Sequence, residues 1–158
     1  MKNYILTLLL IILLVGCNNK TNKSIEEFTF TENSKIILES EYEGTFSKIR
    51  SGEHLVFTYY FQKEEHPDIS DDEYAESIIF EINPNLSTFS YADDELMSVN
   101  SYFDKYCFCV IEGSIQISKG TIKGVKIDDQ TWNVEIDVTF TDNDIDVFKT
   151  INGSFTKK

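Results

Sequence analysis

Two prolines, two histidines, three cysteines and one tryptophan are all that this 158-residue chain holds of those types. Each shortage removes a class of protein. His54 and His66 do not stand at ligand spacing, so a histidine-based metal centre lacks its donors. Cys107 and Cys109 are separated by one residue, which is not the Cys-x-x-Cys of a thioredoxin site. No nucleophile elbow surrounds a serine, and neither histidine has a flanking catalytic pattern, which sets hydrolase triads aside. Basic residues are scarce, 14 against 27 acidic, and the net charge is −13. That field repels phosphate backbones and anionic headgroups, so nucleic acid is not an expected partner. Basic proteins, cationic peptides or calcium would be attracted instead. Helical periodicity is nearly absent too. Its one trace is Ser70-Asp71-Asp72-Glu73, a capping-box pattern after Pro67 that predicts at most one short helix near residues 70–76.

What is present begins with an apolar run from Tyr4 to Val15 behind Lys2. A charged start, about a dozen apolar residues and a small residue before a cleavage point describe a secretory signal peptide. The run is too short for a transmembrane helix, which needs roughly 20 residues. It closes in Leu14-Val15-Gly16-Cys17, which resembles the lipobox of bacterial lipoproteins. The resemblance implies cleavage before Cys17, acylation of that cysteine, and anchorage in a lipid bilayer through its acyl chains. Two or more such chains anchor stably where one binds marginally. Asn18 stands where the enterobacterial inner-membrane signal has Asp, so the same resemblance implies an outer-membrane protein facing the periplasm, if the host is Gram-negative. Residues 17–24 then read as the lipidated cysteine and a polar tether, and residues 25–158 as one domain. Losing Lys2 with residues 1–16 leaves a mature chain of 142 residues with a net charge of −14.

Period two dominates that domain. Trp132, Val134, Ile136, Val138 and Phe140 alternate without error with polar residues, the mark of a half-buried strand. Leu55, Phe57, Tyr59 and Phe61 share one face of a strand over residues 54–63. Ser77 to Ile82 and Leu86 to Tyr91 read as a hairpin across Asn83-Pro84-Asn85. The stretch from Met97 to Ile111, apolar on both sides, reads as a central strand, and Gly113 to Thr156 as a four-stranded meander. About nine strands predict an all-β fold, an antiparallel β-sandwich with a calycin-like β-barrel as the alternative. The segments Gly113-Ser114-Ile115-Gln116-Ile117 and Ile151-Asn152-Gly153-Ser154-Phe155 resemble the end of small β-rich bacterial lipoproteins of unknown function, which adds no chemistry.

Candidate sites follow from residue type. Cys107 and Cys109 point to one face of a strand, as a disulfide or as buried thiols. Asp142, Asp144 and Asp146 have the spacing that opens an EF-hand. However, Val147 and Gly153 occupy the positions that need Gly and a bidentate Glu, so only a looser calcium site remains. Tyr60, Tyr91, Tyr102 and Tyr106 would form a binding surface if they face water from a rigid sheet. No cofactor is expected. The first functional expectation is a non-enzymatic binding or scaffolding lipoprotein of the cell envelope, contacting an envelope protein or glycan through a flat face. A calycin-like carrier of a small apolar ligand would need an apolar cavity of several hundred Å³. An immunity or inhibitor lipoprotein against a basic toxin or lytic enzyme would use the negative field to steer fast binding.

Overall fold

The computed structural model describes residues 23–41, 44–66, 68–109 and 113–158. The leader, Cys17 and most of the tether lie outside the described residues. Among those described, ten strands form: β1 (Ile25–Glu41), β2 (Gly44–Ser51), β3 (His54–Gln62), β4 (Tyr74–Ile82), β5 (Thr88–Ala92), β6 (Tyr102–Cys107), β7 (Ile115–Gln116), β8 (Lys119–Asp128), β9 (Thr131–Asp142) and β10 (Ile145–Lys157). They join in one sheet, ordered β5-β8-β9-β10-β1-β3-β4-β6-β7, with β2 added beside β1. The sheet curls into a half-barrel, so the fold is all-β as its periodicity predicts. Every pairing between these strands is antiparallel except β1 with β10, which run parallel at Thr29–Thr156 and Phe30–Lys157.

Local chemistry explains the clean elements. In β9 the five alternating apolar side chains are buried and their neighbours face water. Asn143 and Asp144 both adopt positive φ, which lets two residues join β9 to β10 with a twist that suits the hairpin. Gly124 and Gly153 lie under the rings of Phe89 and Phe28, where any Cβ would overlap the ring. β1 bends where its register with β3 shifts between Thr31 and Ser34, with Asn33 at φ 52°.

Four local expectations fail for reasons of pairing. The helix near 70–76 does not form: Asp71 sits at φ 65°, and the Asp72 carboxylate accepts from the His66 amide at 2.7 Å, turning the chain back. Among the described residues the single short helix, α1, is Glu95–Ser98 instead, seated by buried Leu96. β4 and β5 are not a hairpin, since β4 pairs with β3 and β6 whereas β5 crosses to β8. β7 leaves the expected meander to pair with β6. β6 sits near one end of the sheet, and the strand buried on both faces is β4.

The concave side is filled by aromatic rings. Phe57 is the hub, with ring centroids of Phe30, Phe80, Phe89, Trp132 and Phe155 lying 5.1 to 5.8 Å away. Across the open side of the curl, two walls that share no strand pairing are tied by side chains. Lys149 of β10 pairs with buried Glu76 of β4, and Lys105 of β6 reaches Asp142 of β9 at 2.5 Å. Phe103 and Phe140 stack beside them at 4.4 Å.

Two phenols at this seam donate to carboxylates: Tyr59 to Glu26 at 3.1 Å and Tyr74 to Glu76 at 2.9 Å. Burial, reinforced by those carboxylates, pushes both well above the ordinary tyrosine range. Their neutral forms therefore stabilise the fold fully below about pH 10, and this contribution is lost as pH rises through their folded values. In an ultraviolet titration, Tyr59 and Tyr74 should ionise last, together with loss of the β signal. Ordinary titration of every tyrosine with the β signal intact would contradict this.

Candidate functional site

The bend in β1 sends its second half, with β2, across the convex side of β3, β4 and β6. This arm buries Ile36 against Val56, Ile79 and Tyr102, a small second core separate from the interior. Beneath it, β4 turns Ala75, Ser77, Ile79 and Glu81 outward, and all four are buried. A fully apolar strip would be the ordinary solution here. Instead two carboxylates hold the arm.

Glu81, 5% exposed, accepts from the Ile36 amide at 2.5 Å, from Asn100 Nδ2 at 3.1 Å and faces His54 Nδ1 at 2.5 Å. The pair borders a recess of about 480 Å³ lined by Lys35, Ile36, Gly52, Glu53, His54, Glu81 and Asn100. Such a pair can orient an imidazole as a proton acceptor. No hydroxyl or thiol nucleophile lines the recess among the described residues.

Asp104, 6% exposed, sits on the other side of the arm. Ser47 Oγ of β2 donates to it at 2.5 Å, Ser114 Oγ donates to its second oxygen, and Ser114 Oγ accepts from the Ser47 amide at 2.6 Å. Burial raises the Asp104 carboxyl above the usual carboxylate range, and the two serines and Lys48 only partly offset it. A raised acid favours the fold while protonated. That contribution is complete below the unfolded value near pH 4 and is lost as pH rises through the folded one. Asp104→Asn should remove this pH dependence. Its melting temperature relative to the parent should improve between about pH 4 and about pH 7, the span that covers the titration of such a carboxyl. An offset that is constant over this span would show that the charge itself anchors the arm.

Toward the Ala75 end of β4 the convex face carries larger side chains. Tyr60 of β3 pairs with Ser77 of β4, which pairs with Asp104; Gln62 pairs with Ala75, which pairs with Tyr106. Tyr106 is 50% exposed, and its hydroxyl lies 3.4 Å from Ser77 Oγ. Tyr60 donates to Gln62 Oε1 at 3.4 Å, and Gln62 donates to Glu65 at 3.3 Å. Both rings are thus held at the sheet by their own hydroxyls. At the end of β6, Phe108 is 81% exposed between Cys107 and Cys109. The two cysteines are joined as a disulfide with Cα atoms 5.2 Å apart. Cys109 is exposed, so the buried-thiol alternative does not describe it.

The four tyrosines do not gather as one surface. Tyr60 and Tyr106 lie on the same face on either side of β4, opposite Ser77 and Ala75, but Tyr102 is 7% exposed beneath the arm. Tyr91 lies on β5 at the far end of the sheet, stacked on Phe89 at 6.1 Å. The aspartates do not gather either. Asp142 is held by Lys105 across the seam, whereas Asp146 turns to the opposite face of the hairpin and accepts from Thr141 at 3.1 Å. No cluster of three metal-ligating side chains occurs among the described residues. His54, Glu81, Asn100, Ser47, Asp104 and Ser114 escape the sequence reading. Polar Ser77 and Glu81, four residues apart and so on one face of a strand that holds Ile78, Ile79 and Phe80, are the one signal that marks this face. Compared with known proteins, the chain matches no family model, no curated protein and no solved structure.

Proposed function

We propose that this chain is a non-enzymatic binding module of the cell envelope, exported, anchored through acylated Cys17, and docking a partner on its convex face. The observation that carries this reading is the placement of Tyr60 and half-exposed Tyr106 on one convex face, opposite Ser77 and Ala75 of the strand between them. Rigid aromatic side chains on a sheet bury large area at low entropic cost, which is how surface binders gain affinity. The leader and lipobox support delivery to a membrane. The polar stretch after Cys17 would let the domain reach outward from it.

Ligand carriage finds less support. Where a calycin-like barrel would hold its cargo, the rings around Phe57 touch one another. A recess floored by Phe30, Leu55 and Trp132 at one end of the curl measures about 250 Å³, below the roughly 300–1,000 Å³ usual for small-molecule sites.

Truncating both rings, Tyr60→Ala with Tyr106→Ala, should abolish retention of envelope partners on the immobilised full chain. Truncating Phe148, exposed on β10 at the other wall, should leave it intact. Equal retention by both variants would end the reading.

A further inference from the structure

We infer that the face around Tyr60 and Tyr106 receives an extended protein segment bearing lysine or arginine. This inference rests on the docking role just proposed and names the chemistry of the partner. The rings come first. Their hydroxyls are tied down to Ser77 and Gln62, so the ring bodies are fixed relative to the sheet. An aromatic face attracts an ammonium or guanidinium group through its quadrupole.

The polar groups around those rings accept rather than donate charge. The row from Tyr60 runs through Gln62 to the Glu65 carboxylate. Behind Tyr106 lies Asp104, which faces Ser47 and Ser114. Of the two nearby cations, Lys105 reaches Asp142 on the other face of the sheet, and Lys48, beside Tyr106, pairs with Glu41 at 3.2 Å. A cationic side chain arriving over the rings meets the Glu65 carboxylate at the end of that row, with Lys48 as the one nearby cation, itself paired to Glu41.

The whole-chain field selects in the same direction. A net charge of −13 repels a second copy of the chain, phosphate backbones and anionic headgroups, and steers basic partners inward. A neutral glycan could stack on the same rings, but nothing in the field would draw it there.

Calorimetry on the full chain in detergent micelles tests this, with a short peptide of alternating lysine and threonine as probe. Its glutamate-threonine counterpart and a neutral N-acetylglucosamine oligomer serve as comparators. The lysine peptide should bind, and its affinity should fall about tenfold between about 50 and about 500 mM salt as screening sets in. Tyr106→Ala should weaken it about threefold or more, and Tyr106→Phe less than that, since it keeps the ring face but loses the tie to Ser77. The glutamate peptide should not bind, and Phe148→Ala should change nothing. Absent binding of the lysine peptide, or binding indifferent to Tyr106→Ala in a variant with parental circular dichroism, overturns the inference. If the oligosaccharide binds instead, without salt dependence but weakened by Tyr106→Ala, the partner class is wrong while the docking face stands. If Tyr106→Ala alters neither probe binding nor envelope retention, the docking reading itself fails.

Discussion

Phe57→Ala should destabilise the domain by about 3–5 kcal/mol, the range for removing a fully buried aromatic side chain. Phe57 has no solvent exposure, and its ring meets five other aromatic rings from β1, β4, β5, β9 and β10. Those strands come from both halves of the chain. A void at that point therefore loosens both walls of the curl at once and cannot be closed by one neighbour moving in. For a domain of this size the melting temperature should drop by on the order of 10 °C or more. Phe148→Ala, on the outer surface, should shift it by no more than about 1 °C, in keeping with the small effects of surface substitutions. Thermal unfolding followed by circular dichroism checks the pair. Similar shifts for both would mean that the interior is not packed around Phe57.

Cys17→Ser should move the protein from the membrane fraction to the soluble fraction. Its charge opposes anionic headgroups, and no helix among the described residues is long and apolar enough to cross a membrane. Acyl chains contribute about 0.8 kcal/mol per buried methylene, so replacing the cysteine proposed to carry them should remove nearly all the anchoring energy. Fractionation of cells producing the variant reads the result directly. Continued sedimentation with membranes, after a wash with high salt, would refute lipid anchorage at Cys17.

The elements that could be read from the sequence are those whose burial follows from one face of one strand. β9 and β3 are of this kind, because the alternation of Trp132 to Phe140 and of Leu55 to Phe61 needs no knowledge of a partner. Pairing is a different matter. The parallel contact of β1 with β10 joins residues more than 120 positions apart, and β5 reaches β8 across α1, β6 and β7. Nothing in either segment encodes its neighbour locally. The arm accounts for most of the remaining surprises. Tyr102 has the composition of a surface residue and is covered only because Ile36 folds over it from 66 positions earlier. The same fold-back turns Glu81 and Asp104 from exposed carboxylates into buried anchors. On the same face, Tyr106 is half exposed and Tyr60 only partly buried.

Photocrosslinking from position 106 in intact cell envelopes is the most direct measurement of the central proposal. A photoreactive phenylalanine analogue would replace Tyr106 in one strain and Phe148 in another. The account predicts a discrete adduct from position 106, abolished when Tyr60 is also changed to alanine, and no adduct from position 148. No adduct at 106, or the same adducts from both positions, would contradict a docking role for the convex face.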